Sequence, residues 1–313
     1  MHKILLFCDP GIDDSLAIIY ALLHPDINLV GVVTSYGNVS AEQSTSNAAY
    51  LLSLAGRSDI PIFYGANFAL SGELATYYPE IHGEDGIGPI VTPSDLKYNV
   101  TPFCELFPFI EEHIDDIKIV DTGRSTSLAM AFNFFNGLLK QVKEIYLMGG
   151  AFFVPGNVTP LAEANFHGDP LATKIVLEHA QKVYITPLNV TNRAVINSQI
   201  AEHVSQKARN PYTKIILDTS RYYISAYNKL NPRIGGAARH DLFTLYYLLN
   251  KEQIDSVQKR VWVELNAGSK GLTHMDFRSP ENDSTSPHIV ALDFDYERFI
   301  VDFINVMTRP LKT

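Results

Sequence analysis

Asp9, Asp13 and Asp14 crowd three carboxylates into six residues of a 313-residue chain. The apolar run 4–8 before them reads as a buried strand. That puts Asp9 at a strand's end, where open α/β sheets place their ligand sites. Pro10-Gly11 forces a turn. Asp13 then falls at the N-cap of a helix and Asp14 in its first turn. Turn and capping chemistry would by themselves account for such residues. Three carboxylates held together repel one another, however, and a hard divalent cation bound through oxygen, Ca2+ or Mg2+, would relieve that repulsion. A phosphatase whose nucleophile is the first Asp of an Asp-x-Asp pair is a poor alternative, because Phe7 stands at that position.

Other polar clusters recur along the chain. The long stretch 65–99 carries Ile81-His82-Gly83-Glu84-Asp85-Gly86-Ile87-Gly88 at its centre. A loop of that length in a compact domain is usually functional or disordered, although a lone loop histidine is ordinarily a surface residue. Asp121-Thr122-Gly123-Arg124-Ser125-Thr126 lies between a strand and a helix and is a weak candidate for an anion cradle. The segment 152–168 holds Asn157, Glu163, Asn165 and His167. Amides and one carboxylate, with little Lys or Arg, suit sugar hydroxyls better than phosphates. Tyr222, Tyr223 and Tyr227 sit on a helical pattern over 212–229. They read as core packing, or as a base-stacking wall given their place before Ala238-Arg239-His240-Asp241.

The elements that must position these groups alternate. Strand patterns fall at 27–34, 60–64, 117–120, 145–148, 183–186 and 289–292. Helical patterns fall at 15–24, 40–55, 127–139, 171–179 and 296–307. This alternation predicts a Rossmann-like α/β fold, a single domain over 1–313 with a mainly parallel central sheet flanked by helices. Further helices are expected at 103–114, where Pro108 is awkward, at 199–208 and at 242–249; 260–265 reads as a strand.

Composition narrows the function. A hydrophobic content of 46% supports a large core. A net charge of −9 without a basic cluster argues against nucleic acid. Two cysteines, Cys8 and Cys104, make no disulfide framework and suit a reducing compartment. No apolar stretch reaches the roughly 20 residues of a membrane span, and the N-terminus does not read as a signal peptide. A cytoplasmic protein acting on a small neutral or cationic molecule is expected.

The opening stretch resembles the Asp-x-Asp-x-x-x-Asp-Asp motif of the inosine-uridine-preferring nucleoside hydrolase family, with Asp9, Asp13 and Asp14 on its last three acids and Phe7 in place of the first. Five later stretches resemble that family in the same order. They are His82-Gly83-Glu84, the run from Asn157 through Glu163-Ala164-Asn165 to Asp169-Pro170, Leu188-Asn189-Val190-Thr191, His240-Asp241, and Gly271 to Arg278. Ser127, Ala164 and Asn189 depart from the family's usual Asn, Phe and Asp. Ala164 would loosen or enlarge the pocket.

The resemblance implies Ca2+-dependent hydrolysis of the N-glycosidic bond of ribonucleosides to free base and ribose, in nucleoside salvage, by a homo-oligomer (dimer or tetramer). It implies Ca2+ held by Asp9, Asp14, Asp241 and the main-chain carbonyl of Thr126. Asp9 is then the general base for the attacking water. Asp13, Asn38, His82, Met148, Asn157, Glu163 and Asn165 would line the substrate and stabilise an oxocarbenium-like transition state. His240 is the candidate acid for the departing base, with Tyr223 or Tyr227 as weaker candidates. A hydrolase of another N-riboside, such as nicotinamide riboside, would use the same residues. A non-catalytic nucleoside-binding protein would need no base, and Asp9 argues against it.

Overall fold

The structure is a computed structural model that describes residues 1–278 and 283–312. Its strands are β1 (His2–Cys8), β2 (Ile27–Thr34), β3 (Ile62–Tyr64), β4 (Ile117–Asp121), β5 (Ile145–Met148) and β6 (Val183–Thr186), followed by β7 (Val195–Ile196), β8 (Ala237–Ala238), β9 (Asp255–Gln258), β10 (Val261–Val263), β11 (Thr273–Met275) and β12 (His288–Asp293). Eight of them form one sheet in the order β3-β2-β1-β4-β5-β6-β12-β9. Every neighbouring pair is parallel except β12 with β9. This is the mainly parallel α/β sheet that the alternation of patterns predicts.

Parallel sheets are covered on both faces, so their strands are apolar on both sides. In β1, Ile4, Leu6 and Cys8 enter one core with the helices Ile12–Leu23, His240–Asn250 and Tyr296–Met307. Leu5 and Phe7 enter the other, with the helices Thr126–Leu139 and Pro170–His179. Phe7 is therefore a core side chain, packed where a carboxylate would be stranded. From β1 the chain winds outward to β2 and β3, then returns to lay β4 on the other side of β1. The crevice beyond the C-terminal ends of β1 and β4 is the topological switch point, the preferred ligand position of such sheets.

Local differences from the sequence reading have physical causes. The first helix starts at Ile12, with Gly11 as N-cap, so Asp13 and Asp14 lie inside its first turn and Asp13 caps nothing there. Acids are favoured in that turn by the helix dipole, and Asp14 accepts from the Gly11 N–H at 3.4 Å. Pro108 is tolerated because the helix Leu106–His113 begins only two residues earlier, where an N–H has no intrahelical partner to lose. The strand expected at 260–265 is the shorter β10, which pairs with β11 in a separate hairpin, and β9 just before it is an unexpected strand that forms an antiparallel edge of the main sheet. The two-residue ladder of β7 and β8 fixes the chain just ahead of Arg239. Among the described residues, no helix is long and apolar enough to cross a membrane.

Candidate active site

Asp9 follows β1 and is buried. Its Oδ2 accepts from the Asn38 N–H at 2.7 Å, while its Oδ1 has no partner. The loop carrying Asn38 comes this close only because residue 37 is glycine: a Cβ there would lie 1.6 Å from Asp9 Oδ2. Asp14 accepts from Thr122 Oγ1 at 2.8 Å and from Asn38 Nδ2 at 2.9 Å. Burial raises Asp9 well above the usual carboxylate range, with the Asp14 charge adding to it and Arg124 opposing. Burial takes Asp14 up to about 6 despite the Thr122 hydrogen bond. Asp121, the last residue of β4, is pushed by burial to about 7 and keeps an unpartnered Oδ2.

Asp13 ties the first helix to a distant one. Its Oδ2 accepts from the backbone N–H groups of His240 at 2.6 Å and Asp241 at 3.2 Å. It thereby satisfies the start of the helix His240–Asn250, whose own N-cap residue Arg239 supplies no side-chain bond. Its Oδ1 is buried without a partner. Burial raises Asp13 to about 7 against the pull of Arg239. Asp241 is raised well above the usual range by burial and then by the charges of Asp14, Asp13, Asp9 and Glu163.

This donor set fits a hard divalent cation: all oxygen, acidic in excess, with buried lone pairs left open on Asp9. Among the described residues no three acidic or histidine side chains close around one point as a finished cage. The coupling of Asp9, Asp14 and Asp241 is through space, the repulsion that a bound cation would relieve.

The opposite flank comes from the segment after β5. Glu163 caps the short helix Ala164–Gly168, its Oε1 accepting from the Asn165 N–H at 2.8 Å and its Oε2 from the Phe166 and Gly150 N–H groups, each at 3.1 Å. Burial takes Glu163 to about 7. Asn165 Nδ2 donates to the Thr122 carbonyl at 2.8 Å and lies 3.3 Å from both the carbonyl and the Sδ of Met148. Asn157 accepts from the Ala164 N–H at 2.9 Å, which holds this segment's own fold. His82 is not a surface residue: it is buried, accepts from the Ile12 N–H at 3.3 Å, and is held by burial at about 4.

The remaining wall is aromatic. The rings of Tyr223 and Tyr227 meet edge to face at 4.8 Å, and that of His82 lies 5.8 Å from Tyr223. Tyr227 OH is hydrogen-bonded to His240 Nε2 at 2.8 Å, and His240 Nδ1 to Thr191 Oγ1 at 2.7 Å. Burial, then the charges of Arg239 and His82, lower His240 to about 4, so its ring is neutral near pH 7. Both ring nitrogens are engaged, and His240 offers none to a ligand.

One expected ligand is corrected. Thr126 opens the helix Thr126–Leu139, so its carbonyl is directed along the helix axis. Its Oγ1 is spent on Tyr36 OH at 3.0 Å and Asp169 Oδ2 at 2.8 Å. Thr122 is the threonine beside the carboxylates. It stands one residue beyond β4 as Asp9 stands one residue beyond β1, and Phe7 pairs with Asp121 in register. That symmetry of strand ends was the signal available in the sequence. Asp121 and Arg239 carried no such signal. Among the departures, Ser127 Oγ accepts from the Ala66 N–H at 2.9 Å and anchors the start of the stretch 65–99, and Asn189 Nδ2 donates to the Ala291 carbonyl at 3.1 Å.

Comparison with known proteins places this geometry. The family model described as inosine-uridine preferring nucleoside hydrolase matches residues 4–301. The inosine-uridine preferring nucleoside hydrolase of Crithidia fasciculata is 32% identical over 302 residues, covering 95% of this chain and 94% of that protein. The pyrimidine-specific ribonucleoside hydrolase RihA of Escherichia coli O9:H4 is 32% identical over 300 residues, covering 95% of each. Among solved structures, a purine-preferring ribonucleoside hydrolase from Gardnerella vaginalis superposes with a TM-score of 0.90 at 28% identity, covering 98% of both chains.

Proposed function

The chain belongs to the inosine-uridine preferring nucleoside hydrolase family, and from that premise we propose that it is a Ca2+-dependent N-glycosyl hydrolase that splits ribonucleosides into free base and ribose. The observation that carries the reading is the pair of buried carboxylate oxygens left without a partner in one short stretch, Asp9 Oδ1 and Asp13 Oδ1. Asp9, Asp14, Asp241 and the carbonyl of Thr122 would hold the cation. When bound, the cation supplies a fixed positive charge that orients ribose hydroxyls and the attacking water.

The chain's own residues do the rest. Asp9 Oδ1 takes the proton of the attacking water. Asp13 Oδ1 accepts a ribose hydroxyl beside Asn38, and Met148, Asn157, Glu163 and Asn165 shape the opposite flank. As the C1′–N bond breaks, its electron pair leaves with the base, and the positive charge growing on the sugar faces the carboxylates. The phenols of Tyr223 and Tyr227, backed by neutral His240, supply the base's proton. An imidazolium acid, which purine N7 would accept from, is disfavoured by the burial of His240. The phenol relay therefore favours pyrimidine ribonucleosides. Arg124 is committed to the Gly37 carbonyl at 3.0 Å and to the Tyr36 ring, leaving little to receive a 5′-phosphate.

Reducing-sugar release from uridine, inosine, 2′-deoxyuridine, uridine 5′-phosphate and nicotinamide riboside tests this. Uridine should lead, chelation should abolish release, and Ca2+ should restore it. No sugar from any riboside would leave a binding protein. A preference for the phosphate or deoxy compound would show the pocket misread, and nicotinamide riboside in the lead would make this a different N-ribohydrolase. A cytoplasmic homo-oligomer completes the proposal, supported by the free thiols of Cys8 and Cys104 and by exposed Phe134, Phe153 and Trp262.

A further inference from the structure

Arg239 is the largest side chain fully buried in the molecule. Its Nη2 donates to Ser220 Oγ at 3.1 Å, and its Nε and Nη1 have no partner. None of its nitrogens bonds a carboxylate. A buried guanidinium without a hydrogen-bonded anion is costly to keep, and the Asp13 charge acts on it only through space. What it does face is an aromatic ring: its Cζ lies 5.3 Å from the centroid of Tyr223. Tyr223 meets Tyr227, and Tyr227 is bonded to His240. The cation stands behind the phenol pair that the proposed reaction uses as its acid. Burial pushes Tyr227 upward, and the Arg239 charge works against that push in favour of the phenolate.

We propose that Arg239 is the positioning residue of the leaving-group acid, its fixed charge stabilising the phenolate formed when the Tyr223–Tyr227 pair protonates the departing base. The proposal rests on the hydrolase reading above. In the step, the C1′–N bond pair leaves on the base nitrogen and the phenol proton moves onto the base. The O–H pair stays on the phenol oxygen within the field of the guanidinium, and solvent returns a proton before the next turnover. The Asp13 charge also acts on this guanidinium, and Asp13 Oδ1 has no hydrogen-bond partner. Arg239 thus acts on both Asp13 and the tyrosine pair while hydrogen-bonding to neither.

The test compares two leaving groups. Uridine needs its base protonated; 4-nitrophenyl β-D-ribofuranoside expels a phenolate that does not. Arg239→Met should lower kcat on uridine by about 10²-fold, the low end for acid–base catalysis, and on the nitrophenyl riboside by less than about threefold. Arg239→Lys, which keeps the charge, should recover most of the uridine rate. Equal losses on both substrates, or no loss on uridine, would overturn the proposal. Should Arg239→Met fail to fold, Arg239→Gln takes its place: a loss on uridine at least about tenfold greater than on the nitrophenyl riboside supports the proposal, and losses equal within about threefold overturn it. A wild-type protein inert on both compounds would instead remove the hydrolase reading itself.

Discussion

The floor of the pocket and its wall are built on opposite terms. The floor hangs on strand ends: Asp9 beyond β1, Asp121 and Thr122 at and beyond β4, with Asp13 and Asp14 in the next turn of chain. Its groups are negative, buried and cross-linked by short hydrogen bonds, so they are held in register by the sheet. The wall is carried by helices remote in sequence, with Tyr223 and Tyr227 on Thr213–Leu230 and His240 on His240–Asn250. It is aromatic and neutral, backed by one buried cation. One region is organised to gather positive charge and the other to give up a proton. The difference teaches that the two halves should fail differently when damaged.

Damage to the floor should cost most. Asp241→Ala removes a proposed cation ligand, but the Asp241 N–H that Asp13 accepts from is untouched, so the helix start should survive. We expect loss of stoichiometric metal and of turnover by about 10³-fold or more, since metal-ion charge stabilisation is worth several kcal/mol. Metal content by elemental analysis, measured beside the rate, checks this. Full activity with undiminished metal would dissolve the distinction between floor and wall.

The wall should yield a smaller and more selective loss. Tyr227→Phe deletes the hydroxyl that meets His240 Nε2 at 2.8 Å and leaves the ring packing in place. Turnover of uridine should fall by roughly 10- to 10²-fold with Ca2+ affinity unchanged, read by titration calorimetry. A parallel loss of Ca2+ affinity would mean that floor and wall are one cooperative unit.

The same contrast explains what could be read from the chain. The floor is written in contiguous residues at a strand end, where type and spacing carry the chemistry, and the alternating patterns place that end at the sheet's switch point. The wall is a tyrosine stripe at helical spacing, which core packing produces equally well; only the three-dimensional path to His240 separates the two. Arg239 was invisible as a buried cation because its neighbours in sequence are ordinary, and the residues it meets, Ser220 and Tyr223, lie on the preceding helix Thr213–Leu230. His82 misleads for the converse reason: the long stretch 65–99 folds inward at Pro79–His82 and buries a residue that its loop setting marks as exposed.

The finest test lies within the floor, between two threonines four residues apart. Thr122 Oγ1 donates to Asp14 at 2.8 Å, and its carbonyl receives Asn165. Thr126 instead serves Tyr36 and Asp169 behind the site. Valine keeps the branched shape of threonine and removes only the hydroxyl, so each substitution isolates one set of bonds. Thr122→Val frees Asp14 from a partner that orients it, and loss of such support around a metal ligand typically weakens metal binding by about 10-fold or more. Its effect on stability should be small, because Asp14 keeps Asn38. Thr126→Val should do the reverse. It should destabilise the fold by about 1–2 kcal/mol in denaturant titration, the scale of a lost buried hydrogen bond, while Ca2+ affinity holds. Asp169 would still accept from the Leu70 N–H at 2.8 Å, which limits the damage. If Ca2+ affinity follows Thr126 and ignores Thr122, the cation lies nearer the helix than the strand ends, and the floor as drawn is misplaced by one turn.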